Sequence, residues 1–522
     1  MALVGVLALA ALILTIPAGR RVFWSSDEAR FALLAQDILD HGHWLVPELR
    51  GRLYLNKPQL GFWAIALVSW PVGRVTELTA AIPTILAALG SVGAVVAIGR
   101  LLWGWRAGLL AGLILATSPP FFAFGHVALP DMMLANWMTW SIYWLLRAWR
   151  SDWAWPPLAG FYVCIGLAVA SKGPAGYAAL AAGLVALLGT EGVRGLRRLR
   201  LVRGLVILAL CATPWLASYH LVSRGRFEGE VLAGHYVTWY LRGDPLDRIS
   251  QLVQPVVSFL PWAIFLVATP WWWRRRPEAG RRLLWLWTVP LWLLLGLSGT
   301  SRARYFVPVY PLFALLTAEF LARAGARGGG SAARAAAAAF AAGAAAVAVG
   351  MIVLPPTVVG RENMAFLPEA PWERAGAAAL ALLGGAVAWL LARRGAFSSM
   401  AVAAALALGG LLVLVGVTYP PRHARDNDVR ALTAVAGAHT DPGAAVIGHP
   451  DLRLSYDFYL GRPVAEIGPT PAVVSLLATP PRQAVIMSAG RWQELAPLAG
   501  PSWRLLTSRR VGGREVVVVG RP

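Results

Sequence analysis

Long apolar stretches recur along almost the whole of this chain, interrupted by short arginine-rich or proline-rich segments. A helix that crosses about 30 Å of hydrocarbon needs roughly 20 mostly apolar residues, because its backbone polar groups can bond only within the segment. By that ruler thirteen candidate spans lie near residues 1–18, 78–101, 105–121, 131–149, 157–171, 174–190, 203–221, 255–273, 282–299, 303–322, 333–354, 372–393 and 398–418. With 57% hydrophobic and 14% charged residues, the chain has more apolar surface than a soluble domain can hide. The predicted class is an all-α polytopic membrane protein. The first stretch lacks a basic leader and a clear cleavage site, so it reads as an anchor and not as a signal peptide.

The net charge of +21 invites a nucleic-acid reading, but the placement of the charges argues against one. Arginine clusters in Arg147–Arg150, Arg194–Arg203, Arg274–Arg282, Arg323–Arg334 and Arg393–Arg394, and thirteen spans put all five segments on one side. That is the positive-inside pattern, and it places the N-terminus in the cytoplasm. The segments 19–77, 122–130, 222–254, 300–302 and 355–371 and the tail 419–522 then share the outer face. Cys164 and Cys211 fall inside apolar spans and indicate neither a disulfide framework nor a metal knuckle.

Two domains are expected: a transmembrane domain over 1–418 and a small α/β domain over 419–522 on the outer face. In the second, a helix at 428–438 precedes the strand-like runs AAVIGH, RQAVIMS and REVVVVG. The long first outer loop, 19–77, has its own helical pattern. Ser25 and Glu28 read as a capping box, with Phe31, Leu34, Ala35, Ile38 and Leu39 on one face. The run LGFWAIALVSWP, residues 60–71, is short and tryptophan-rich, as suits a segment lying in the membrane interface.

Of the 47 basic residues only Lys57 and Lys172 are lysine, and both fall on the outer face. Snorkelling anchors would serve equally well as arginine. A compact ammonium with rotating donors suits a phosphate that moves or leaves. On the same face, Asp27 begins the loop helix with Arg30 one turn later, and Asp131 follows Pro130 at the mouth of a span. Each carboxylate can be explained as a helix-terminal charge or as a functional acid. Arg302 and Arg304 stand outside against the charge bias, and His126, His235 and Tyr305 lie on neighbouring segments. No Ser-His-Asp order, P-loop or HExxH motif appears. The set fits an anionic, lipid-borne substrate attacked by a deprotonated nucleophile.

The stretch SSDEARFALLAQDILDHGHWLVPELRGRLYLNKPQLGFW resembles the first outer loop of the GT-C membrane glycosyltransferases of the ArnT and protein O-mannosyltransferase type. The resemblance continues through LPDMML, LAVASKGPAGY, HYVTWYL, FLPWAIFL and TSRARYFVPVYPLFALL, and covers roughly residues 20–320 in order. It implies the GT-C fold and inverting transfer of a sugar from a polyprenyl monophosphate donor to an acceptor on a glycolipid, a wall polymer or a protein. The partners it implies are therefore that donor, a membrane and such an acceptor, with no nucleic acid. Asp27 falls on the family's catalytic carboxylate and Asp131 on a second acid of the same cavity. Arg30 and Lys57 fall on positions that contact the donor phosphate, and Lys172, Arg302 and Arg304 are expected to join them. Glu28, Tyr54, His126, His235 and Tyr305 are expected to line the cavity. The implied location is a bacterial cytoplasmic membrane, with the site on the periplasmic face.

Two positions depart from the family pattern. The family's Glu before Lys-Pro, implicated in metal binding, is Asn56, which argues against a divalent cation; no cofactor is assigned. Pro-Pro is replaced by Pro58-Gln59. The alternative function is a non-enzymatic flippase or export component for lipid-linked sugars. A flippase needs polar residues along a path through the spans, whereas these are gathered at one face.

Overall fold

The computed structural model describes residues 1–23, 25–227, 229, 231, 234, 245–270, 278–297, 302–324, 330–353, 368–441, 446–448, 454–466 and 483–521. The protein is mostly helical. Among the described residues, seven helices are long and apolar enough to cross a membrane. They number eight if Trp105–Ala116 and Pro119–Gly125, bent by 64°, form one span. Ala2–Thr15 is apolar but shorter. Asp131–Arg150 and Ala279–Gly296 are helices over two further predicted stretches. The predicted spans 157–171 and 174–190 run together through a turn at Gly173–Gly176, giving the apolar unit Trp155–Arg198.

Small residues bring the helices close. A Cβ on Gly99 would lie 2.6 Å from the Cα of Gly108, so Glu77–Trp103 and Trp105–Ala116 pack backbone to backbone. Within lipid, where apolar surface gains little by leaving the tails, such approach is a main source of helix attraction. Asp131–Arg150 packs between Glu77–Trp103 and Trp155–Lys172.

Polar contacts sort into two ends. At one, Arg281 and Arg323 both pair with Glu319 and Glu278, and the Trp103 indole donates to Glu278 at 3.1 Å. The Trp149 indole, beside Arg147 and Arg150 at the end of Asp131–Arg150, donates to Glu191 of the helix Tyr177–Arg198 at 3.1 Å. At the other end lie the first loop and the C-terminal strands.

The loop helix Ser26–His41 starts at Ser25, whose hydroxyl accepts the Glu28 N–H at 3.3 Å, and stops at Gly42 in the left-handed region. It carries Phe31, Leu34, Ala35 and Ile38 into a cluster with Phe62 and Ile65 of the helix Leu60–Ser69. The C-terminal sheet has the order 465–466, 447–448, 485–488, 514–520, 504–511, with the first two pairings parallel and the last two antiparallel. Strands 447–448, 485–488 and 514–520 fall within the three expected runs, and the helix Val429–Ala438 lies where one was expected. This region grips the first loop. Arg50 forms a two-bond ion pair with Asp457, Phe23 and Phe458 stack edge to face at 4.8 Å, and the Tyr459 hydroxyl accepts the Phe23 N–H while donating to Glu77.

Candidate active site

Four segment ends converge beside the first loop: the start of Ser26–His41, the start of Asp131–Arg150, the end of Trp155–Lys172 and the start of Ala303–Arg323. Each end is set by local chemistry. Pro130 cannot continue a preceding helix and opens the new one with Asp131 in its first turn. Gly173, at φ +71°, terminates the helix that ends in Lys172.

Asp27 sits at the centre. One carboxylate oxygen accepts from Arg30 at 2.5 Å, and the other from Arg302 at 2.9 Å and Arg304 at 2.6 Å. Burial pushes its pKa up, but the Arg304 hydrogen bond and the charges of Arg304, Arg30 and Arg302 outweigh that and hold the carboxyl below its usual range. Asp131 is nearly buried, accepts from the Lys172 ammonium at 2.5 Å, and has Arg304 Nε 3.9 Å from its second oxygen. Arg304 therefore bridges the two carboxylates. Tyr305 backs the cluster, with the Lys172 ammonium 4.1 Å from its ring centre.

Lys57 is half-buried within the field of these groups. Desolvation, then the repulsion of Lys172, lower its pKa to about 8 against the attraction of Asp131 and Asp27. Its backbone carbonyl accepts from the Tyr219 hydroxyl at 2.7 Å. Gln59, the departure from Pro-Pro, is buried and donates to Leu45 O and to Ser218 Oγ, each at 2.8 Å. It thus ties the lysine loop to the helix Leu201–Ser223. Tyr54 is buried beside Arg30 and Asp27, and burial pushes its hydroxyl up to about 12.

The structure brings together Asp27, Asp131, Arg30, Lys57, Lys172, Arg302, Arg304, Tyr54 and Tyr305. It puts two other expected residues elsewhere. Glu28 is 1% exposed and turns to Arg21, which donates to both of its oxygens at 2.6 and 3.0 Å, while the Ala128 N–H donates at 3.3 Å. His126 is buried near the same pair, against Phe122. His235 lies outside the described residues. Sequence reasoning missed Arg21. The pair Arg20-Arg21 directly after an otherwise apolar anchor was a usable signal, although it does not say which of the two turns inward.

Five cationic side chains surround two carboxylates, so the cluster carries a net charge of about +3 when Lys57 is protonated. A divalent metal does not fit this group: its positions are dominated by cations, and Asn56 supplies a neutral amide where a ligand carboxylate would be needed. An anion with several oxygens does fit. Arginine and lysine donors at a membrane boundary are the means by which proteins hold phosphate headgroups.

Residues 56–217 match a family profile described as dolichyl-phosphate-mannose-protein mannosyltransferase. The undecaprenyl phosphate-alpha-4-amino-4-deoxy-L-arabinose arabinosyl transferase of Pectobacterium carotovorum is 25% identical over 343 residues, 61% of this chain and 58% of that protein. The corresponding Yersinia enterocolitica transferase is 27% identical over 335 residues, 60% of this chain and 57% of that protein. The chain thus matches less than two thirds of the length of these relatives. The crystal structure of ArnT from Cupriavidus metallidurans bound to undecaprenyl phosphate superimposes with a TM-score of 0.83 at 22% identity, covering 99% of this chain and 97% of that one. The archaeal oligosaccharyltransferase AglB from Archaeoglobus fulgidus gives 0.53 at 13% identity, over 93% of this chain and 69% of that one. The chain is a multi-pass membrane protein with the fold of the ArnT-type GT-C membrane glycosyltransferases, which it also resembles in sequence.

Proposed function

We propose that the protein is an inverting glycosyltransferase that moves a sugar from a polyprenyl monophosphate to an acceptor on a glycolipid, a wall polymer or a protein. The observation that carries this reading is the pair Asp27 and Asp131, bridged by Arg304 and ringed by Arg30, Arg302, Lys57 and Lys172 at one end of the helix bundle. The acceptor oxygen attacks the anomeric carbon from the face opposite the phosphate, and the bond from that carbon to the phosphate oxygen breaks. The acceptor proton goes to Asp27, and the freed polyprenyl phosphate takes up charge that Lys57, Arg30 and Arg304 neutralise without a metal. Asp131 holds Lys172 and Arg304 in place.

With three guanidinium donors on it, Asp27 is a weak base. A donor phosphate competes for Arg302 and Arg304, and each contact it captures raises the basicity of Asp27. Arg302 is the most exposed of the three and the easiest to release. The reaction is tested by incubating the purified protein with a lipid-linked labelled sugar and acceptor. Release of free polyprenyl phosphate together with glycosylated acceptor is expected; a flippase would return the donor intact.

Thirteen spans would complete the fold, with residues 1–418 in the membrane domain and 419–522 forming an α/β domain outside. The site would then face the periplasm of a bacterial cytoplasmic membrane. Supporting this, the helices Asp131–Arg150 and Ala303–Arg323 begin at the site and end in Arg150 and Arg323, in keeping with the positive-inside bias. A membrane-impermeant thiol reagent applied to intact cells with a permeabilised outer membrane should label Gln493→Cys and spare Arg198→Cys. Both positions are exposed and hydrophilic. The reverse pattern would put the site in the cytoplasm, where this chemistry has no outward acceptor.

A further inference from the structure

We propose that Asp37, His41 and His43 form a binding site for one divalent transition-metal ion of the zinc type, on the first loop and distinct from the Asp27 cluster. Asp37 and His41 are four residues apart on the helix Ser26–His41 and so share a face. Gly42, at φ 71° and ψ 23°, ends the helix and turns the chain so that His43 returns to the same carboxylate. The two imidazoles meet opposite oxygens: His41 Nδ1 is 3.0 Å from Asp37 Oδ1, and His43 Nδ1 is 3.0 Å from Oδ2. Their rings stack with centres 5.5 Å apart and planes 23° apart.

All three ligand atoms lie within 4.8 Å of one another. Nitrogen and oxygen ligands stand about 2.0–2.2 Å from zinc, so a shared ion requires separations of roughly 4 Å or less. Only a small rotation of a ring is needed, and His41, 63% exposed, is free to make it. The carboxylate is already oriented, because the Glu48 N–H donates to Asp37 Oδ2 at 2.8 Å. That is the kind of outer contact that fixes a metal ligand. His43 is 39% exposed and Asp37 13%, which leaves an open approach and a place for water as the fourth ligand.

The donor set selects the ion. Two imidazoles and one carboxylate suit zinc, cobalt, nickel or copper, whereas magnesium and calcium take oxygen ligands. The helix rises 1.5 Å per residue, so ten residues place Asp37 about 15 Å from Asp27, too far for a part in bond breaking. The ion would pin His43, just past the helix end, to Asp37, whose carboxylate already accepts the Glu48 N–H of the strand pair at 48–49 and 52–53. Bound metal is therefore expected to raise the unfolding temperature of the whole protein.

The test uses the full chain, purified with any affinity tag removed and stripped with chelator, then titrated with Co2+ and with Zn2+ in the micromolar range. Wild type is expected to bind one equivalent, with cobalt showing the visible absorption of a nitrogen-ligated site. His41→Gln and the double variant His41→Gln, His43→Gln should lose at least about 10–100-fold in affinity, the loss that even an outer contact of a metal site brings. In chelator these variants should unfold at the wild-type temperature, since both rings are partly exposed. Equal cobalt affinity in the double variant, or no binding by wild type, overturns the proposal and leaves two hydrogen-bonded histidines on an aspartate.

Discussion

Asp27→Asn is expected to lower the rate of sugar transfer by about 10²–10⁴-fold, the usual cost of losing a general base. Asparagine keeps the shape and one acceptor oxygen for Arg30, Arg302 or Arg304, but it cannot take the acceptor's proton. The fold should survive. Asparagine still offers an acceptor to Arg30 or Arg304, and the pair with Arg302, which is 61% exposed, is screened and contributes at most about 1 kcal/mol. A first-turn acid acting only on the helix dipole would be worth about 0.3–1 kcal/mol and would leave turnover near normal. Asp40→Asn is the control, an acid of the same helix that lies at the surface and accepts from the Gln36 amide at 2.8 Å. Turnover of Asp27→Asn within about threefold of wild type would move the base to Asp131.

Glu28→Gln should behave in the opposite way, costing about 3–5 kcal/mol of stability, because it strands Arg21 as a buried unpaired charge. The pair is 6% and 1% exposed, and the same carboxylate accepts the Ala128 N–H, so it pins the start of the loop helix to the 126–130 turn that precedes Asp131. Thermal unfolding in detergent measures the effect. Replacing both residues, as Arg21→Met with Glu28→Leu, should recover most of it, since well-packed apolar residues often replace a buried pair without loss. A Glu28→Gln protein that unfolds like wild type yet fails to transfer sugar would return Glu28 to the substrate cavity.

The contrast between neighbours Asp27 and Glu28 shows where sequence reading stops. Spacing identified the helix, its cap and the two acids, because those signals are local. It could not say which acid faces the cluster and which turns to Arg21, since that depends on how the loop helix is rotated by Phe31, Leu34 and Ile38 against Phe62. The same holds for Arg50 with Asp457 and for Tyr459 with Glu77, partners separated by hundreds of residues. Strand 504–511 was also missed: RLLTSRRV lacks a clean alternation, and its partner strand supplies most of the apolar face. By contrast, the buried Glu319 that pairs with Arg281 was legible in principle as an acid within an apolar helix. The two lysines were the most informative residues of all, for a compositional reason. In a chain that otherwise uses arginine, both stand within the field of the same two carboxylates.

The central claim is that a lipid phosphate binds among these cations, and equilibrium binding of polyprenyl phosphate to the purified protein across pH tests it most directly. Losing a charge-assisted contact costs about 1.5–3 kcal/mol, so Lys57→Ala should weaken binding by roughly tenfold or more. The pH profile adds a signature specific to this residue. Desolvation and Lys172 lower the Lys57 pKa to about 8, so the ammonium is present below that value and is lost above it. Wild-type affinity should therefore be steady near neutrality and fall as the pH rises past about 8, although the phosphate, with a second pKa near 6, is by then fully ionised. Lys57→Arg should hold its affinity across the same range, because a guanidinium does not titrate there. Affinity that is unchanged in Lys57→Ala and flat with pH in wild type would contradict the account.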